Sequence, residues 1–269
     1  MSLSIAGKTA IVTGAAHGIG LAIARHFVDK GANVMLVDID EAGLENEVGP
    51  GARSEGPVRM FAGDLRQKLT IANLLSATLD AFERVDILVN ASRQMTISDP
   101  LCAEDDAVEP LLQQNLLTSL RLSQIIAKRM ILQAEKTDNP GGNVGAIINL
   151  SSIAAHHTQG ALLGYSISCA ALDQMTRSLA VALAPKGIRV NALAFGSVMS
   201  ASLQAALKDN PDYRDSITDS TPMHRIAAAD ELVETVQFLA SDAASFITGQ
   251  IITVDGGRSL IDPVKAPAH

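Results

Sequence analysis

Seven short apolar runs recur along the 269-residue chain, at residues 9–13, 33–37, 58–62, 85–90, 145–150, 188–194 and 250–254. Their apolar character suits strands buried on both faces of a parallel sheet. Helical patterns separate the first six runs. After the first, Ile19, Ala22, Ile23 and Phe27 recur at three- and four-residue steps and so share one helix face. Lys30-Gly31 ends that helix, with glycine free to turn left-handed. A long helical stretch covers residues 105–134, and a further helix starts at Ala229-Asp230-Glu231, with acids in its first turn, and runs through Leu239. An irregular segment and this last helix precede the seventh run. Right-handed crossovers between such strands predict one doubly wound α/β domain of Rossmann type, with about seven parallel strands and helices on both faces. No repeat, low-complexity tract or linker divides it. Residues 49–57 and 136–143 read as surface loops, and residues 263–269 as a loose tail.

Composition narrows the picture. Hydrophobic residues make up 47% of the chain, ample for a core, but aromatics are 3% and Trp is absent, so that core is expected to be aliphatic. The net charge is −8 and Lys and Arg do not cluster, which argues against nucleic acid or an anionic membrane as partner. Cys102 and Cys169 make neither a disulfide framework nor a paired metal motif, so no metal is expected, and two free thiols fit a reducing cytoplasm. No run is long enough to span a bilayer, and the N-terminus lacks the regions of a signal peptide.

The candidate chemistry begins where the first strand meets the first helix, at Thr13-Gly14-Ala15-Ala16-His17-Gly18-Ile19-Gly20. A helix N-terminus offers free N–H groups and a positive dipole end, which suit a pyrophosphate. Glycines let the backbone approach it with no Cβ in the way. The second run ends at Asp38, eighteen residues beyond Gly20. An acid there accepts hydrogen bonds from both ribose hydroxyls of an adenosine and repels a 2′-phosphate; the other reading is an acid capping the next helix. Together these features point to NAD rather than NADP.

The spacing Gly-x-x-x-Gly-x-Gly resembles the turn of the short-chain dehydrogenase/reductase family, and the resemblance covers nearly the whole chain. It implies that Gly14, His17, Gly18, Ile19 and Gly20 line the cofactor. It implies that Asp64 reaches the adenine amino group and Leu65 the ring through its backbone N–H, although Asp64 also reads as a helix cap. The family's Asn-Asn-Ala-Gly is Asn90-Ala91-Ser92-Arg93 here, placing Asn90 and Ala91 at the cofactor and Arg93 where the family has glycine. The Arg93 backbone must then avoid a left-handed conformation or bear strain. Its side chain has a pyrophosphate, an acidic substrate or solvent within reach, and solvent is favoured. Asn115, inside the long helical stretch, corresponds to an Asn that holds a water beside the family's active site; a packing role is the equal alternative.

The fifth run leads into Ser151-Ser152, and Tyr165 follows thirteen residues after Ser152. At a sheet's carboxyl edge a Ser and a Tyr can grip one substrate oxygen, the Tyr exchanging its proton while a hydride moves to or from nicotinamide. The resemblance gives Ser152 and Tyr165 those roles. The family pattern is Tyr-x-x-x-Lys, with the Lys one helical turn on, binding the nicotinamide ribose and lowering the Tyr pKa. Cys169 stands there instead. A free Tyr has a pKa of ~10, and a cation ~5 Å away at an effective dielectric of ~20 contributes ~3 kcal/mol towards ionising it. A thiol supplies none of that. His156 and His157 are substitute proton donors or, as preferred, exposed loop residues.

Further on, Phe195 and Ser200 replace the family's Pro and Thr, and the Val198 backbone and Ser200 hydroxyl are implied to hold the nicotinamide carboxamide. Residues 201–222 match a substrate lid in position. The C-terminal strand resembles those that pack across a dimer axis, so a homo-tetramer or homo-dimer is expected. The function implied is an NAD-dependent oxidoreductase interconverting a small secondary alcohol and a ketone, atypical or weak without the Lys. The alternative is a catalytically silent NAD-binding homologue acting as a sensor or scaffold subunit.

Overall fold

The computed structural model describes residues 2–49, 56–136 and 142–262. The segments 50–55 and 137–141 of the two expected loops, and the expected tail, lie outside the described residues. In chain order the elements are β1 (Thr9–Thr13), α1 (Gly18–Asp29), β2 (Asn33–Asp38), α2 (Glu41–Val48), β3 (Val58–Ala62), α3 (Lys68–Phe82) and β4 (Ile87–Asn90). Then come α4 (Val108–Leu111), α5 (Thr118–Ala134), β5 (Gly145–Ser152), α6 (Leu163–Leu183), β6 (Ile188–Phe195), α7 (Ala201–Asp209), α8 (Tyr213–Asp219), α9 (Asp230–Ala240) and β7 (Ile251–Val254). The strands form one sheet in the order β3-β2-β1-β4-β5-β6-β7. Every neighbouring pair is parallel.

Burial on both faces explains the continuous apolar runs. All residues of β1, β4, β5 and β6 are buried. On one face Ile19, Ile23 and Phe27 of α1 meet Leu232, Val236 and Leu239 of α9. On the other, Ile71 and Leu74 of α3 meet Leu122, Ile126 and Met130 of α5. Each such side chain contributes about 1.5–3 kcal/mol by leaving water. Phe27 is the one aromatic among the largest fully buried side chains, in keeping with an aliphatic core.

Between β1 and β4 the strand order reverses, which opens a crevice beyond their carboxyl ends. Thr13 closes its floor, since its Oγ1 accepts from the N–H groups of Ala91 and Ser92, both at 3.0 Å.

Two stretches differ from the sequence expectation. The helix expected over residues 105–134 is interrupted: after α4 the chain makes a π-helical turn, Leu112–Leu117, before α5. The segment read as irregular, 201–222, holds α7 and α8. Ser200 starts α7, its hydroxyl accepting from the Leu203 N–H at 3.2 Å. Short polar helices carry too few apolar positions to show a period, which is why these two were hidden.

Candidate active site

The glycine turn is built by close approach. Gly14 has φ 67°, and a Cβ there would sit 2.9 Å from the Ser92 Cα. A Cβ on Gly20 would overlap the Gly14 carbonyl oxygen. Gly18 is different: at φ 57° it needs glycine for its backbone conformation, yet a Cβ would meet nothing within 4 Å. The N-cap residue His17 makes no side-chain bond to α1 and turns its Nε2 to the Asp40 carboxylate at 2.6 Å. The first turn of α1, with Ile19 behind it in the core, therefore presents free N–H groups over open space, a fit for a pyrophosphate.

Asp38 lies at the end of β2 beside this turn. Its Oδ2 accepts from the Ala16 N–H at 3.0 Å and its Oδ1 from the Asp40 N–H at 3.1 Å. The acid that caps α2 is Asp40, through the Gly43 N–H at 3.0 Å. Asp64 bonds to Arg66, accepting from its guanidinium at 2.9 Å and its backbone N–H at 2.9 Å, and that guanidinium holds the carboxyl below the usual range. Leu65 beside it is buried. Asn90 turns into the core, where its Nδ2 donates to Asn149 at 2.8 Å and to Ser123 at 3.1 Å.

At the carboxyl end of β5, the Ser152 hydroxyl accepts from the Ala154 N–H at 3.2 Å. Tyr165, in the first turn of α6, is buried at 3% exposure, with the Ser152 hydroxyl and the Cys169 sulfur as polar neighbours. The first turn comes close to the α4 segment because residue 164 is glycine; a Cβ there would lie 3.0 Å from the Ala107 carbonyl carbon. Burial pushes the Tyr165 phenol up, the Arg93 charge opposes this, and Cys169 adds to it. Burial likewise raises the Cys169 thiol, so it stays protonated at neutral pH.

Arg93 does not point to solvent, contrary to the sequence expectation. Its guanidinium carbon lies 4.1 Å from the Phe195 ring centroid and 5.7 Å from that of Tyr165. Its Nη1 donates to the Ser151 carbonyl at 3.2 Å. A cation over an aromatic face gains about 0.5–2 kcal/mol, more as water is excluded, and here two rings and a carbonyl compete with solvent. The backbone avoids the left-handed region, in which the described non-glycine residues are Glu83, Ala107 and His224.

Asn115 explains how the Arg93 loop is held. Within the π-helical turn its Oδ1 accepts from the Gln94 N–H at 2.8 Å, and its Nδ2 donates to the Gln94 carbonyl at 2.9 Å and to Ser168 Oγ at 3.0 Å. The neighbouring Gln114 donates to Ser92 Oγ at 3.1 Å. No local pattern announces a clamp across 21 residues. His156 is exposed and turns to Asp173, with 3.4 Å between Nε2 and Oδ2. Asp173 is buried one turn beyond Cys169, and burial raises its carboxyl above the usual range. His157 is exposed as well. Val198 is buried and bridges to Ala227, leading to Ser200 at the start of α7.

A family model described as enoyl-(acyl carrier protein) reductase matches residues 14–259. L-xylulose reductase from Bos taurus is 34% identical over 260 residues, covering 96% of this chain and 98% of its own length. The L-tagatose-forming galactitol 2-dehydrogenase of Cereibacter sphaeroides is 32% identical over 258 residues, covering 94% and 96%. Among solved structures, a gluconate 5-dehydrogenase from Burkholderia cenocepacia J2315 in complex with NADP and tartrate has a TM-score of 0.86 at 26% identity, covering 97% of this chain and 98% of that one. A 7α-hydroxysteroid dehydrogenase complexed with NADH and 7-oxo glycochenodeoxycholic acid has a TM-score of 0.85 at 29% identity, covering 95% of each. The chain belongs to the short-chain dehydrogenase/reductase family of oxidoreductases. Among the described residues no helix is long and apolar enough to cross a membrane.

Proposed function

We propose that the protein interconverts a secondary alcohol and a ketone with NAD, using Ser152 and Tyr165 as its catalytic pair. The observation that carries this reading is the pairing of those two hydroxyls at the carboxyl edge of the sheet. A nicotinamide cofactor, when bound, supplies or accepts the hydride. In ketone reduction the substrate oxygen takes its proton from Tyr165 as the carbonyl carbon gains the hydride, and Ser152 donates a hydrogen bond to the same oxygen. Oxidation reverses both transfers. Asn115 serves by fixing the loop at Gln94.

In this reading Gly14, His17, Gly18, Ile19 and Gly20 hold the pyrophosphate, Asp64 and Leu65 meet the adenine, and Asn90 and Ala91 lie along the cofactor, Asn90 through its backbone because its side chain is tied into the core. Val198 and Ser200 take the carboxamide, and residues 201–222, with α7 and α8, form the lid. NAD follows from Asp38, whose two oxygens keep lone pairs free beyond their bonds to Ala16 and Asp40. Removing that charge lifts a repulsion of ~1–2 kcal/mol from a 2′-phosphate. Asp38→Ala should therefore gain about tenfold in NADPH affinity relative to NADH, by calorimetry. Wild type binding NADPH more tightly than NADH would sink the assignment. The subunits are proposed to pair as a homo-dimer or homo-tetramer, and light scattering that finds only a 28.2 kDa species at micromolar concentration would reject this.

The buried Cys169 thiol favours a second reading, a catalytically silent NAD-binding subunit: it carries no charge to Tyr165, and on our reading it stands where the family has its Lys. A panel of sugar alcohols, cyclic alcohols and their ketones, followed by NADH absorbance, separates the two. Binding of NADH with turnover of none of them selects the silent reading.

A further inference from the structure

Three residues at which the sequence reads as departing from the family pattern meet at Tyr165. Cys169 lies one turn along α6, Phe195 ends β6, and Arg93 spans the gap between their elements from the loop after β4. Arg93, Tyr165 and Cys169 line one small cavity with Asn90 and Asn115. The Arg93 guanidinium rests on the Phe195 ring and spends one N–H on the Ser151 carbonyl. Its other four donors make no hydrogen bond among the described residues.

We propose that Arg93 is the working positive charge of this site, stabilising the negative charge that builds on the Tyr165 oxygen when its proton leaves. The inference rests on the reading of Tyr165 as the proton-transferring group. Arg93 acts through Tyr165 and is a positioning residue, not one that reacts. Arginine suits the place physically. A guanidinium keeps its charge when partly desolvated and stacks flat on a ring, whereas a lysine ammonium loses its proton more readily when buried. Phe195 is the platform it needs, and the Asn115 clamp on Gln94 fixes the loop that delivers it.

The other groups facing Tyr165 bring no positive charge. Ser152 from β5 favours the phenolate only as a neutral hydrogen-bond donor, and Cys169 from α6 opposes ionisation. Asp173 lies beyond Cys169, and its own electrostatic partners are His156 and Arg177. Among the described residues, Arg93 is the charged group that favours the phenolate.

The test needs no substrate. The chain has two tyrosines and no tryptophan, so in a Tyr213→Phe background the ultraviolet absorbance of phenolate reports Tyr165 alone. Arg93→Met in that background is expected to move the titration to higher pH and to cut the phenolate fraction at a fixed pH below the midpoint at least about tenfold. Arg93→Lys, which keeps the charge, should restore most of it. An Arg93→Met titration identical to that of the parent overturns the proposal, as does a parent that forms no Tyr165 phenolate before alkaline unfolding. Arg93→Gln replaces the Met variant if that one does not fold. If neither neutral variant folds, Arg93 is structural and the proposal falls. A shifted titration in a protein that turns over no ketone leaves the electrostatic role standing and removes only the oxidoreductase reading.

Discussion

Tyr165→Phe is expected to lower turnover about a thousandfold, the middle of the range for removing a general acid or base. The fold should survive. The phenol is buried, but its polar neighbours keep other partners, since Ser152 still accepts from the Ala154 N–H. Losing one net hydrogen bond costs about 0.5–1.5 kcal/mol, which a melting curve can resolve. NADH affinity should change little, because the change lies at the reacting end and leaves the glycine turn and Asp38 alone. Activity within tenfold of wild type, in a variant that melts normally, would remove Tyr165 from the chemistry. Ser152 and the exposed His156 would then be the groups to replace next.

The sheet was legible in the sequence because a parallel sheet buries both faces, so its strands read as continuous apolar runs. The ends were less so. The fourth run reads as a strand from Val85, yet β4 starts at Ile87: the Val85 N–H bonds to the Gln133 side chain, and although the Asp86 N–H already reaches the Thr9 carbonyl of β1, regular pairing with β1 begins at Ile87. Asp38 left two readings open in sequence, and the helix cap went to Asp40, two residues on. The π-helical turn was invisible, because what it serves is a reciprocal pair of hydrogen bonds between Asn115 and the Gln94 backbone, across a distance no periodicity spans.

Arg93 shows the limit most clearly. Its position in a loop, in place of a glycine, says nothing about direction, and an arginine is more often solvated. What turns it inward is Phe195, over a hundred residues later, at the end of a strand three places across the sheet from β1. A large aromatic where a cofactor crevice opens, in a chain with 3% aromatics, was the available signal. It becomes informative only once β4, β5 and β6 are known to be neighbours.

Cys169→Lys is the substitution whose effect should depend most on its surroundings. Under the proposed reading, a lysine there puts a cation one helical turn from Tyr165. At ~5 Å and an effective dielectric of ~20 such a charge contributes ~3 kcal/mol, about a hundredfold in rate. Arg93 already acts on the same two residues. The two cations would repel each other across a small cavity, and the second would add less to a charge already met. The expected gain is therefore about tenfold at most in the wild-type background and about a hundredfold in Arg93→Met, a coupling of the size found between residues that share a partner. The pH optimum for alcohol oxidation should fall in both, further in the second, because the phenolate forms at lower pH. Lysine is larger than the buried thiol it replaces, and overpacking costs about 1–3 kcal/mol, so melting curves must accompany the kinetics of all four proteins. Arg93→Met relieves part of that crowding and should make the double variant melt closer to wild type than the sum of the single changes. Equal gains from Cys169→Lys in both backgrounds would mean that the two charges act independently, and Arg93 would then not stand in for the lysine.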